Sequence, residues 1–453
     1  MSGPRQADWL KRLETEHDNL RVALDWSAMS RGRVEAGLRL GGSLLKFWVR
    51  RGYLREGRDL LQALLVASSD RRTSARAKAL GAAGFLTVEL GDYASARSLL
   101  EESLALGRHL GDERVTALSL IHLGELVRRT GDFVKARILS EEGLDLCQKL
   151  GHVPGMITAL HNLGRQAMYG QGDHELGESL LRQSLALARQ HGDRMTVALL
   201  LQQLFDAAAR RGNGASARAL LEESLEICRE VGDLRAMATP LHDLGLLALD
   251  RGDLVEARSL LEESMVYLRS SGDKRSMVNP SYYLGLVALD AGDLAAARAR
   301  FAESWAIMQQ LGERGAIATW IYGVGLVSLD EGNYAEARAS YEEFLAEVRK
   351  SSDRRGIAFA LEAFAGLATA QGEAHKALHL AGAAAALRDA VAAKLAPHWQ
   401  IRLHRRLAPA WEALGEAADR AWAEGIATSA DDAIAVALSI AASPEEPPVV
   451  APL

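Results

Sequence analysis

His161, Arg165, Gln202, Asp206, His242, Tyr282 and Tyr322 bring imidazole, guanidinium, amide, carboxylate and phenol groups to matching places in a repeating chain. Such a set suits binding better than turnover, because the rings offer apolar contact and the polar heads offer directional hydrogen bonds to a ligand. Other groups with catalytic potential resolve into helix features. The pairs Glu101-Glu102, Glu222-Glu223 and Glu262-Glu263 have the form of acid/base carboxylates, but they recur with the repeat and read as a solvated face. Arg97, Arg218 and Arg258 stand four residues before Glu101, Glu222 and Glu262, the spacing of surface ion pairs on a helix. Ser103, Ser184, Ser224, Ser264 and Ser304 are small positions of one helix type, with no Ser-His-Asp arrangement to be inferred. His375 and His379 have the spacing of a zinc-binding pair, yet no Glu follows His375 and no third ligand is evident. The sequence therefore predicts a protein that is not an enzyme and takes no cofactor or metal.

The elements that carry these residues are set by glycine. Gly91-Asp92, Gly131-Asp132, Gly172-Asp173, Gly212-Asn213, Gly252-Asp253, Gly292-Asp293 and Gly332-Asn333 recur every 40 residues, with one interval of 41. A second series, from Gly111-Asp112 to Gly312-Glu313, lies midway between them. Between turns, apolar residues recur at three- and four-residue spacing, so each repeat is a pair of amphipathic helices, here called A and B. Small residues return where A and B must approach: Gly84, Gly124, Gly164, Gly245, Gly285 and Gly325 in A, and Ala96, Ala136, Ala217, Ala257, Ala297 and Ala337 in B. Gly within a helix costs about 1 kcal/mol relative to Ala, so its return at one position implies close packing.

Stacked A helices line one groove, and residues at one repeat position form a ladder across it. Counting ten back from the glycine of the turn between A and B places Gln202, His242, Tyr282 and Tyr322 on one ladder, and aligning on Gly164 in the repeat with the extra residue adds His161. Arg165 and Asp206 lie four residues further along, on the same helix face. Three irregularities should disturb the array: the extra residue within Met168 to Gly172, Phe205 in place of the A-helix glycine, and Pro240 and Pro280 several residues into A. Each proline must either kink its helix or mark a late start.

Composition narrows the partners. The chain is 48% hydrophobic with a net charge of −6, and its basic residues are interspersed with acidic ones, so it lacks the electrostatic footprint of a nucleic-acid binder. Cys147 and Cys228 occupy equivalent positions two repeats apart. At roughly 10 Å between packed helices they stand too far apart for a disulfide, and they read as buried thiols of a reducing, cytoplasmic setting. Met1 to His17 is polar, and no stretch approaches the roughly 18 apolar residues of a membrane span.

Leu-Gly in helix A, Gly-Asp at the turn and Ala early in helix B resemble the tetratricopeptide repeat over about residues 73 to 372. The ends carry a second resemblance. Glu16-His-Asp-Asn-Leu-Arg-Val-Ala-Leu24, Phe47-Trp48, Arg51-Gly-Tyr53 and Glu56-Gly-Arg58 are similar to the segment joining the nucleotide-binding module to the repeats in bacterial STAND-class signalling ATPases. Ala381 to Arg388, Leu414-Gly-Glu416, Trp422-Ala-Glu-Gly425 and Asp432-Ala-Ile434 resemble the stretch before the LuxR-type DNA-binding domain of such regulators. No phosphate loop of the Gly-x-x-x-x-Gly-Lys-Ser/Thr form is present, and no recognisable helix-turn-helix follows residue 440.

The expected fold is an all-α, right-handed tetratricopeptide-type solenoid. A helical arm spans residues 1–72, the array 73–372, capping helices 373–442 and a disordered tail 443–453. The resemblance implies a non-catalytic sensor and protein-interaction region of a signalling or transcriptional regulator. Its groove would take a protein or peptide partner or a small-molecule effector, with possible self-association. The alternative is a stand-alone scaffold that docks peptides or helices of other proteins.

Overall fold

In a computed structural model the chain is described over residues 5–30, 32–312, 317–391 and 393–441, so the segment expected to be a tail, 443–453, lies outside the described residues. Each turn glycine does the same local work. Gly91 to Gly332 of the first series, and Gly111 to Gly312 of the second, adopt positive φ between 60° and 92°, where a Cβ would be strained. The next residue then caps the following helix: Asp92 accepts the Ser95 N–H at 3.1 Å, Asp112 that of Val115 at 3.0 Å, and Asp253 that of Glu256 at 3.0 Å. One Gly-Asp step thus ends one helix and starts the next.

The chain divides into two compact units, Met1–Asp233 and Leu234–Leu453. The first opens with an arm of α1 (Gln6–Thr15), α2 (His17–Met29), α3 (Val34–Gly41), α4 (Leu45–Arg51) and α5 (Leu54–Ala67). Its A/B pairs are α6 (Ser74–Glu89) with α7 (Tyr93–Leu110), α8 (Glu113–Arg129) with α9 (Phe133–Lys149), α10 (Val153–Gln166) with α11 (His174–His191), and α12 (Arg194–Arg210) with α13 (Gly214–Val231). The second unit continues with α14 (Leu234–Asp250) and α15 (Leu254–Ser271), α16 (Val278–Asp290) and α17 (Leu294–Leu311), α18 (Ile317–Asp330) and α19 (Tyr334–Lys350), and α20 (Arg354–Ala370) and α21 (Ala374–Ala390). It ends with α22 (Pro397–Leu414), α23 (Ala418–Ala427) and α24 (Ala430–Leu438). Among the described residues there is no strand, and the fold is an all-α helical-repeat solenoid of tetratricopeptide type.

Within a pair, the A-helix glycine receives a large B-helix side chain. A Cβ on Gly84 would stand 2.6 Å from Leu100, one on Gly245 2.8 Å from Leu261, and one on Gly285 2.6 Å from Phe301. The recurrent B-helix serine anchors the other end. Ser103, Ser184, Ser224, Ser264 and Ser304 are buried and donate to the carbonyls of Ala77, Ile157, Ala198, Ala238 and Val278 at 2.7 to 3.1 Å. Each hydroxyl is satisfied without water and fixes the height of B against A.

The irregularities resolve individually. The extra residue is absorbed by a π-helical turn, Ala167–Gln171. Phe205 leaves α12 continuous. Pro240 lies inside α14, whereas Pro280 falls in the first turn of α16, which starts late after a 3₁₀ turn at Arg275–Met277.

The end motifs are packing knots. In the arm, His17 stacks on Tyr53 at 4.1 Å and its Nε2 meets Glu56 at 2.8 Å, while Trp48 fills the space that a Cβ on Gly57 would need. In the second unit, Gly382 of α21 and Gly425 of α23 let those helices touch backbone to backbone. Arg388 holds the buried Glu362 with two bonds of 2.7 and 2.6 Å. Cys147 and Cys228 are buried and form no disulfide among the described residues, and burial pushes their thiols up to about 11 and about 12.

Candidate functional site

In the first unit, the A-helix face is organised around one buried carboxylate. Glu125 of α8 accepts two bonds of 2.8 Å from Arg128 and one of 2.7 Å from Arg129, while Arg165 of α10 approaches to 3.6 Å. Arg129 reaches on to Glu89 of α6 at 2.5 Å. Burial alone would raise the Glu125 carboxyl, but these guanidinium groups outweigh it and hold it down at about 2. Three arginines thus share two glutamates, leaving an excess of positive charge on this face.

His161 stands one turn before Arg165. Burial, reinforced by the Arg165 charge, lowers its imidazole to about 4, so it is neutral at physiological pH. Its Nε2 and the Nε of Arg165 are both buried with no hydrogen-bond partner among the described residues. Buried polar groups are nearly always paired, so two without a partner on one helix face are unusual. His122 lies on the adjacent helix against Phe85 at 4.8 Å, and burial lowers it too to about 4.

The π turn adds a residue that sequence reading missed. Tyr169 donates to Asp206 at 2.6 Å, and the Arg210 guanidinium lies 5.4 Å from its ring. Burial and the Asp206 bond raise its hydroxyl to about 12. Asp206 therefore joins α12 to the π turn. The 41-residue interval was the available signal, because an inserted residue in a helix redirects a side chain. Gln202, by contrast, is used internally, donating to Ser224 at 3.0 Å.

The second unit corrects part of the expectation. His242 faces its neighbour Asp243 at 2.9 Å and meets the edge of Tyr283, while its Nε2 has no partner among the described residues. Tyr282 and Tyr322, expected on an open groove, are each 7% exposed. Tyr282 packs on Phe301 at 5.3 Å, and Tyr322 on Phe344 at 5.1 Å and Trp399 at 5.6 Å. Their hydroxyls are raised far by burial. Tyr282 is closed over within its own repeat by Phe301 of α17, whereas Tyr322 is covered by Trp399 of α22, a helix that lies along the A-helix face of its own unit. His398 places its backbone N–H 3.1 Å and its Nδ1 2.6 Å from Asp250. Arg402 gives Asp290 bonds of 3.2 and 2.5 Å, Arg405 gives it a third of 2.6 Å, and Arg406 bonds Asp330 at 2.8 Å. Asp250, Asp290 and Asp330 are the last residues of α14, α16 and α18.

His375 pairs with Glu424 at 3.1 Å, and among the described residues no group of His, Cys, Asp and Glu could hold a metal ion. No helix among them is long and apolar enough to cross a membrane.

Comparison with known proteins agrees with this architecture. The family model of the MalT-like TPR region matches residues 47–264, just under half of the chain. A protein of Mycobacterium tuberculosis (strain ATCC 25618 / H37Rv) named as an HTH-type transcriptional regulator is 32% identical over 121 residues, which is 25% of this chain and 14% of that protein's length. Among solved structures, a Signal Transduction ATPase with Numerous Domains (STAND) protein with a tetratricopeptide repeat sensor, from Pyrococcus horikoshii, aligns with a TM-score of 0.54 at 14% identity. That alignment covers 78% of this chain and 54% of the other. A Rap protein complexed with competence and sporulation factor aligns with a TM-score of 0.51 at 12% identity, over 77% of this chain and 99% of that one. At these identities the structural likeness concerns the fold alone.

Proposed function

We propose that this chain is a non-catalytic sensor and interaction region of a signalling or transcriptional regulator, and that the A-helix face of its first unit binds an effector bearing an anionic group. The observation that carries this reading is the pair of open, buried donors and acceptors on α10, His161 Nε2 and Arg165 Nε, beside a cluster with more guanidinium than carboxylate. A neutral imidazole can give or take one hydrogen bond, and a guanidinium can clamp a carboxylate or phosphate. Tyr169, Asp206 and Arg210 border the same face and supply shape and further polarity.

Two kinds of similarity support a role in regulation. One is the HTH-type transcriptional regulator, of which this chain matches a small share, and the other is the MalT-like repeat region. Recognition without turnover fits a face whose glutamates Glu89 and Glu125 are held by arginine.

The test is native mass spectrometry of the parent chain and of a His161→Ala, Arg165→Ala variant, each incubated with a defined panel of phosphorylated metabolites, small carboxylates and acidic peptides. A member of the panel retained by the parent, lost from the variant and retained by a His375→Ala control is the expected result. Equal retention by parent and double variant would refute the assignment of the effector to this face.

A further inference from the structure

The contacts of α22 recur in register on both sides. His398, Arg402 and Arg406 are spaced i, i+4 and i+8, on one face of their helix. Their partners Asp250, Asp290 and Asp330 are one repeat apart, each closing an A helix. The second unit thus presents a ladder of carboxylates, and a helix with matching cations lies along it. Trp399 adds an aromatic foot that packs on Phe359 at 5.4 Å and on Tyr322. Asp250 also sits at the start of α22, where the helix dipole favours a negative charge.

This helix is held differently from its neighbours. α20 and α21 bury Leu361, Phe364, Leu367, Leu378 and Leu380 almost completely, whereas α22 buries fully only Leu407 and Ala410, packs Trp399, Leu403, Trp411 and Leu414 partly against the same core, and leaves Ile401 half exposed. Its grip combines this apolar edge with ion pairs, and buried ion pairs add little net stability once desolvation is counted. The fit is also incomplete: His398 Nε2, Arg402 Nη1 and Arg406 Nε are buried without a hydrogen-bond partner among the described residues. Pro409 removes one backbone bond within the helix. After α22, Gly415 turns the chain at φ +51°.

We propose that the A-helix face of the second unit is a docking groove for a cationic helix, that α22 occupies it as an internal ligand, and that the partner is a helix of another protein with Arg or His at i, i+4 and i+8. Charge complementarity argues for this occupant, since withdrawal of α22 would bare three carboxylates in a row. A tethered helix competes at high effective concentration, so the partner binds only when that grip is loosened. The proposal shares the sensor reading above but uses a different unit and ligands of opposite charge. Loss of anion binding at Arg165 therefore leaves it standing, and its own failure leaves the anion site standing.

The probe is a synthetic, fluorescently labelled peptide with the sequence of residues 396–414, titrated into the full chain with fluorescence anisotropy. A His398→Ala, Arg402→Ala, Arg406→Ala variant, with α22 weakened but Leu407 and Ala410 kept, should bind the peptide at least about 10-fold more tightly than the parent. Adding Asp290→Asn and Asp330→Asn should abolish that gain. Hydrogen exchange on the parent gives a second reading that needs no variant to fold: residues 397–414 should exchange faster than α20 beneath them. No saturable binding by a folded α22 variant, or protection of α22 equal to that of α20, overturns the proposal. Dimerisation of the variant in place of peptide binding also overturns it, because the occupant would then be the α22 of a second copy.

Discussion

Asp193 ties the start of the chain to its fourth repeat, and its removal offers a quantitative test of how the arm is held. The carboxylate is 3% exposed and accepts from Arg50 at 2.9 Å, Lys46 at 3.1 Å and Gln6 at 3.0 Å, while also capping α12 through the Thr196 N–H at 3.3 Å. Loss of an Asp N-cap costs about 1 kcal/mol. Breaking a buried ion pair costs about 3–5 kcal/mol when both charges are enclosed, and we take roughly 2 here because Lys46 remains open to water. Asp193→Ala should therefore destabilise the first unit by about 3 kcal/mol, or about 6–12 °C in its melting transition at this size. Asp193→Asn keeps the cap and should show about two thirds of that shift. Calorimetry reads the transition, and hydrogen exchange in residues 6–58 shows whether the loss falls on the arm. Although burial alone would raise it, the cations hold this carboxyl well below the usual carboxylate range. Its contribution is present at neutral pH and fades as pH falls below the unfolded value of about 4, so parent and Asp193→Asn should converge in acid. A melting shift under about 2 °C for Asp193→Ala, with unchanged exchange in the arm, would refute the latch.

Three further outcomes follow from local geometry. His122 and His161 are each lowered to about 4, so the first unit should lose stability as pH falls from about 6.5 towards 4, and neither ring should titrate near pH 6.5 in an NMR pH series. Ser352 takes the place of a turn glycine at φ +52°, and Ser352→Gly should raise stability by about 0.5–1 kcal/mol in chemical denaturation, whereas Ser352→Val should lower it. Gly285→Ala would set a Cβ 2.6 Å from Phe301 and should cost about 1–3 kcal/mol, while the double change with Phe301→Leu should recover part of it.

Much of the repeat was legible because its determinants are short-range. Positive φ at Gly91 and an N-cap at Asp92 need only neighbours a few residues away, and the recurrence of Gly-Asp counts the helices. The pairing of Gly245 with Leu261 was legible for a related reason: A and B are joined by a turn too short to allow another partner. His161 and Arg165 share a face for the same local reason, since i and i+4 on one helix are neighbours whatever surrounds them. Tyr169 was less accessible, since the extra residue announced a distortion but not that the hydroxyl would meet Asp206, 37 residues away.

The sequence by itself determined the helices, their turns and the residue types on the A-helix ladder, because helix periodicity, αL glycines and capping are local properties that repetition reports several times over. Tertiary structure alone decided which ladder positions remain open. Tyr322 looks like a groove residue by register, yet α22 returns to place Trp399 on it and, across more than one hundred residues, Arg402 on Asp290. Gln6 reaches Asp193 over a separation of 187. Nothing in the local pattern encodes such meetings, since a cation in one helix and a carboxylate in a distant one select each other only after the repeats have stacked and brought their faces within range.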